Sequence, residues 1–79
     1  MQQRVIKIIL PDQLKEPALE LLNTQEKIQF WLEESNSSNT VISVLTDYSH
    51  TESIMDIFER KFGNEEGFSI WLTLVPTYH

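Results

Sequence analysis

The sequence predicts an α+β domain of the ferredoxin-like βαββαβ kind, with a four-stranded antiparallel sheet and two helices on one face. Three observations lead there. Several stretches rich in β-branched and aromatic residues alternate in polarity. Two stretches between them carry apolar residues at helical spacing. The order along the chain is strand, helix, strand, strand, helix, strand, in which two strand-helix-strand units interleave. Right-handed crossovers then put both helices on the same side of the sheet. At 79 residues the chain is one domain, 1–79, with room for a single modest core.

Residues 5–10 form the first strand, ended by Pro11 and Asp12. Ile6, Ile8 and Leu10 share one side; Val5, Lys7 and Ile9 share the other. Asp12 is the expected N-cap of a helix over about 13–23, with Leu14, Ala18, Leu21 and Leu22 on one face and Pro17 disturbing its first turn. In residues 27–34, Ile28, Phe30 and Leu32 alternate with Gln29, Trp31 and Glu33. Residues 40–48 make the third strand, and the polar run 35–39 joins the two as a hairpin. Ser49 and Glu52 have capping-box spacing ahead of the second helix, whose apolar face is Ile54, Ile57, Phe58 and Phe62. Gly63 stands where a left-handed C-terminal cap belongs. After a turn over 64–67, the last strand covers 68–75. Phe68, Ile70, Leu72 and Leu74 lie on one side, and Ser69, Trp71, Thr73 and Val75 on the other.

The formal charge is −6, and Arg4, Lys7, Lys15, Lys27, Arg60 and Lys61 are scattered. Without a basic stripe to neutralise phosphates, nucleic acid is not an expected partner, nor is an anionic membrane surface. The chain has no cysteine, so disulfides, thiolate metal sites and thiol nucleophiles are ruled out, in keeping with a reducing compartment. No apolar run reaches the length of a membrane span, and the N-terminus lacks the signal-peptide pattern. The expectation is a cytoplasmic domain with no direct membrane insertion. The match of Asn36-Ser37-Ser38 to a glycosylation acceptor is read as chance.

If the helices cover the side of Ile6, Ile8 and Leu10, the opposite side is open. It carries Val5, Lys7 and Ile9, Trp31, Trp71 and Val75, and from the third strand either Ile42 and Val44 or Val41 and Leu45. A solvated face should alternate to polar residues, and this one is only half polar. Tryptophan is enriched where proteins bind one another, so Val5, Ile9, Trp31, Trp71 and Val75 form the candidate interface. Set against this, single apolar residues are ordinary on a small domain, and cross-strand aromatic pairs stabilise an exposed face unaided.

No catalytic or cofactor-binding constellation emerges. Asp47, His50 and Glu52 are close in sequence and could hold a metal, but capping and solvation account for them, so no metal site is assigned. Ser49 and His50 are neighbours without a third group to orient the imidazole. Glu33-Glu34 and Glu65-Glu66 sit in turns rather than facing each other across a cleft. Gly63 and Gly67 follow a helix, whereas a phosphate loop precedes one. Familiar uses of the ferredoxin-like architecture lack their residues. The first loop, Pro11-Asp12, has neither the glycine of amino-acid sensors nor the arginine of acylphosphatases; there is no cysteine pair for a metallochaperone; and the first and third strands hold no aromatic before Tyr48 on which a base would stack.

The segment Ile54-Met55-Asp56-Ile57-Phe58-Glu59-Arg60-Lys61-Phe62-Gly63, followed by Glu66-Gly67-Phe68-Ser69-Ile70, resembles the soluble N-terminal region of the Domain of Unknown Function 389 family of hydrophobic membrane proteins. Residues 4–11 and Leu21-Leu22 are similar too. The resemblance implies a cytoplasmic accessory module at the inner face of the membrane, belonging to a longer protein with a membrane domain; Val75-Pro76-Thr77-Tyr78-His79 departs from that family's proline-rich joint. It implies no catalytic residue.

Taken together, these features predict a non-catalytic interaction or regulatory module. It would self-associate as a homo-oligomer, or dock on a membrane domain, through its open sheet face. The alternative is a small-ligand sensor with a metabolite at a subunit interface and the loop over 33–40 closing on it. A third reading is a metal-dependent enzyme around Asp47 and His50.

Overall fold

The computed structural model describes residues 3–33 and 38–74. The chain runs β1 (Gln3–Pro11), a single 3-10 turn (Asp12–Leu14), α1 (Lys15–Asn23), β2 (Gln29–Glu33), β3 (Asn39–Asp47), α2 (Tyr48–Phe62) and β4 (Ser69–Leu74). The strands form one antiparallel sheet in the order β2-β3-β1-β4. β1 pairs with β3 from Gln3↔Asp47 to Pro11↔Asn39, and with β4 from Arg4↔Leu74 to Ile9↔Ser69. β2 pairs with β3 from Gln29↔Leu45 to Glu33↔Val41.

One core explains the layering. Ile6, Ile8 and Leu10 of β1 and Ile42 and Val44 of β3 share a side of the sheet and are fully buried. Ala18 and Leu22 of α1 and Ile54, Phe58 and Phe62 of α2 join them in one cluster, so both helices serve the same side. The rings of Phe58 and Phe62 lie 5.6 Å apart, and Phe68 continues the row 6.2 Å from Phe62. Each such side chain contributes roughly 1.5–3 kcal/mol when buried. The α2 face is centred on Thr51, Ile54, Phe58 and Phe62. Met55 packs beside it, and Ile57, expected on that face, is half-buried outside the core cluster.

The helix ends differ from expectation. Asp12 does not cap α1. It opens the 3-10 turn, its carboxylate accepts from the Thr40 hydroxyl at 2.6 Å, and its N–H donates to the Ser38 carbonyl at 3.0 Å. Pro17 is the third residue of α1, within the first turn, where backbone N–H groups have no intrahelical acceptor. α2 begins at Tyr48, and Asp47 rather than Ser49 is its N-cap, accepting from the His50 N–H at 3.2 Å. Ser49 and Glu52 therefore lie inside the helix and form no capping box. Gly63 is right-handed, with φ −60°, and not the left-handed cap expected of it. Its smallness serves another end: a Cβ there would run into the Glu59 carbonyl oxygen that accepts the Gly63 N–H. The left-handed glycine is Gly67, φ +86°, seated against the Pro11 ring.

Candidate functional site

Cross-strand partners point to the same side of a sheet, so the register assembles the open face in three rows. The first reads Gln29, Leu45, Val5, Thr73; the second Trp31, Ser43, Lys7, Trp71; the third Glu33, Val41, Ile9, Ser69. With strands about 4.8 Å apart, the backbones of Trp31 and Trp71 are separated by roughly 14 Å across the middle row. Both indoles are well exposed, at 45% and 42%. Between them the Lys7 ammonium donates to the Ser43 hydroxyl at 2.9 Å and pairs with the Glu33 carboxylate. The Ser43 hydroxyl donates to the same carboxylate. The hydrogen bond from Lys7, then that from Ser43, holds the Glu33 carboxyl below the usual carboxylate range against an opposing effect of burial. Ser43 is fully buried, so the cluster offers no reachable nucleophile.

Of the residues singled out in the sequence, Val5 and Ile9 are half-buried on this face, flanking Lys7 along β1, and Trp31 and Trp71 stand at its two edges. Val75 lies outside the described residues, as do positions 34–37 of the loop assigned to ligand closure. The third strand supplies Val41 and Leu45 to the open face, and Ile42 and Val44 to the core. Sequence reasoning missed the Lys7–Ser43–Glu33 cluster. Lys7 and Ser43 are 36 residues apart, and only the strand register brings them together.

Charge is unevenly spread. Glu16 and Glu20 on α1, Glu52, Asp56 and Glu59 on α2, and Glu65 and Glu66 in the following turn are all exposed, and none belongs to the three rows. Within those rows the only charges are Lys7 and Glu33, which cancel. The middle of the open face is therefore neutral on a chain of net charge −6, and Asp47, opposite Gln3, puts one carboxylate at the end of that face.

Asp47 and His50 do meet. One Asp47 carboxylate oxygen accepts the His50 backbone N–H at 3.2 Å, faces the imidazole Nδ1 at 2.6 Å, and accepts the Ser49 hydroxyl at 2.8 Å. The His50 ring first, then Ser49, holds the Asp47 carboxyl below its usual range. Ser49 donates to Asp47 and is 3.4 Å from the imidazole, so the trio is a helix cap rather than a nucleophile with its base. Among the described residues no three His, Asp or Glu side chains are grouped to hold a metal ion. Nor is any helix among them long and apolar enough to cross a membrane. A cleft of about 300 Å³ lies at the margin of the open face, lined in part by Lys27, Gln29, Leu45 and Asp47. That volume is at the low end for small-molecule sites.

No family model matches the chain, and no curated protein matches it. Among solved structures, it is similar to the crystal structure of a DUF3240 family protein from Shewanella baltica OS155. The TM-score is 0.72 at 7% sequence identity, over 100% of this chain and 96% of that one. At such identity the likeness is one of fold alone.

Proposed function

We propose that this domain is a non-catalytic interaction module of ferredoxin-like βαββαβ architecture, self-associating through its open sheet face. The observation that carries the reading is the middle row of that face, two exposed tryptophans on either side of a charge pair that is already satisfied. Tryptophan is enriched among the residues that carry most of an interface's binding energy. Lys7, Ser43 and Glu33 bond to one another, so covering them does not leave either charge unpaired. Two copies of an acidic chain repel most through their helical sides and least through the middle of the open face, where Lys7 and Glu33 cancel. The module works in the cytoplasm, alone or joined to the membrane domain that the resemblance to the Domain of Unknown Function 389 family implies.

Light scattering over a range of concentrations tests this. The wild type is expected to associate, and Trp31→Glu to stay folded by circular dichroism and lose the association step that the open face carries. A wild type that is monomeric throughout, or a folded Trp31→Glu variant that associates as before, overturns the reading. One observation favours a sensor as the second reading: the cleft beside Lys27 shares Gln29 and Leu45 with the open face, so a ligand there would sit at the edge of the interface. A metabolite panel in thermal-shift assays separates the two, because a ligand that binds only the native state raises the melting temperature.

A further inference from the structure

We propose that β4 is a pairing edge for a second copy of itself, two chains lying antiparallel along Ser69–Leu74 so that their sheets run on into one. The inference does not rest on the open face. It begins with Leu72, which that face does not explain. Leu72 points to the helix side, opposite the fully buried Ile6, yet is 40% exposed. Trp71, the residue before it, is exposed on the other side of the same strand. A partner lying on the open face would cover Trp71 and leave Leu72 in water. A strand alongside β4 covers both.

The backbone agrees. β4 pairs with β1 on one side and with no strand among the described residues on the other. Its sequence, Ser-Ile-Trp-Leu-Thr-Leu, has no charge, proline or glycine. Those are the devices by which natural edges deter pairing, and a long apolar edge without them is a template for another strand. The opposite edge has the same exposed pair, Trp31 at 45% and Leu32 at 44% on its two sides, but β2 has only five residues and ends in the charged Glu33, and just before it Lys27 takes a left-handed turn at φ 65°.

Charge and register select a second copy in antiparallel orientation. An uncharged strand can be approached by a like-charged chain at no electrostatic cost along its length. Antiparallel pairing sets the two Glu65-Glu66 turns at opposite ends of the joint, about 20 Å apart for six residues. The screening length in physiological salt is about 8 Å, so they do not feel each other. Parallel pairing would bring them side by side. For the joined sheet to be continuous, facing residues must point to the same side. The two-fold axis therefore passes a residue and not a gap, and the central pair is Trp71 with its copy or Leu72 with its copy.

Association is measured by light scattering and sedimentation on the wild type, Leu72→Lys and Trp31→Glu. Leu72→Lys places a gatekeeping charge on the edge without altering the open face, and is expected to raise the dissociation constant at least about tenfold. Trp31→Glu, on the far edge, is expected to leave the Leu72-dependent step in place. A wild type that stays monomeric, or a folded Leu72→Lys variant that associates as the wild type does, overturns the proposal. A second measurement covers a Leu72→Lys variant that fails to fold. The chain has no cysteine, so single replacements Trp71→Cys, Leu72→Cys and Gln29→Cys each carry one thiol. Facing cysteines across the axis come within disulfide reach. Mild oxidation should cross-link Trp71→Cys or Leu72→Cys and leave Gln29→Cys largely monomeric; equal yields at all three positions overturn the proposal.

Discussion

Replacing Thr46 with valine should stabilise this domain, and two other threonines provide the internal control. Thr40, Thr46 and Thr51 are all buried. The Thr40 hydroxyl donates to the Asp12 carboxylate at 2.6 Å, and the Thr51 hydroxyl donates to the Asp47 carbonyl at 3.1 Å. The Thr46 hydroxyl is shut away from water and has no hydrogen-bond partner among the described residues. A buried polar group left unpaired costs about 1–3 kcal/mol. Valine keeps the shape and the β-branching that suits β3 while deleting the orphan hydroxyl. Thr46→Val should therefore gain about 1–2 kcal/mol. Thr40→Val and Thr51→Val should each lose about 1 kcal/mol or more, since each breaks a bond that is made. A domain of 79 residues has a total stability of about 4–12 kcal/mol, so shifts of this size move a urea midpoint clearly. The assay is equilibrium urea unfolding followed by tryptophan fluorescence and circular dichroism, with the slope held constant across variants. A Thr46→Val midpoint equal to or below the wild type would refute the reasoning, because it would mean that the hydroxyl finds a partner in solution.

The other predictions concern charge and backbone. The Glu33 and Asp47 carboxyls are both held below their usual range in the folded chain. Each therefore contributes stability that is complete above its unfolded value, about 4, and that is lost as the pH falls through the lower folded value. Acid unfolding should steepen below that point, and a stability that does not change on acidification would contradict both assignments. Lys7→Met should raise the Glu33 pKa towards the ordinary value, read from the carboxyl carbon shift in an NMR titration; an unchanged Glu33 would remove Lys7 as the main cause. Gly67→Ala forces a side chain into a left-handed conformation, with its Cβ 3.3 Å from the Pro11 ring, and should cost about 1–2 kcal/mol in urea unfolding. A neutral result there would mean that the turn relaxes to another conformation.

What could be read from the sequence was what depends on period. Ile6, Ile8 and Leu10 alternate with Val5, Lys7 and Ile9, and that alone divides β1 into a core side and an open side. Ile54, Phe58 and Phe62 repeat at helical spacing and fall in the core. Where two answers were locally equivalent, the sequence was silent or misleading. Asp47 and Ser49 are both good N-caps, and Asp47 prevails because its carboxylate also takes the His50 ring and the Ser49 hydroxyl. Val41, Ile42, Val44 and Leu45 leave β3 apolar on both sides. Only its pairing with β1, Ile8 against Ile42 and Ile6 against Val44, decides which side is inward. Trp31 and Trp71 were visible as a pair, but the charge cluster between them was not, because it depends on contacts 26 and 36 residues apart.

That cluster bears on what an interface here would require. An unpaired lysine in the middle of a sheet face would oppose any apolar partner, since burying it alone costs several kcal/mol. Lys7 is instead tied to Glu33 and Ser43 before any partner arrives. What remains for a partner to cover is mostly apolar, Val5, Ile9, Val41, Leu45 and the two indoles, with Gln29, Ser69 and the indole N–H groups left to be matched or hydrated. None of this follows from the fold. A structure superposing with a TM-score of 0.72 at 7% identity shares the arrangement of strands and helices, but the side chains of an exposed face are free to differ. The residues of the open face and of β4 therefore have to be argued from this chain, and the separate effects of Trp31→Glu and Leu72→Lys decide whether it associates through the face, through the edge, or through both.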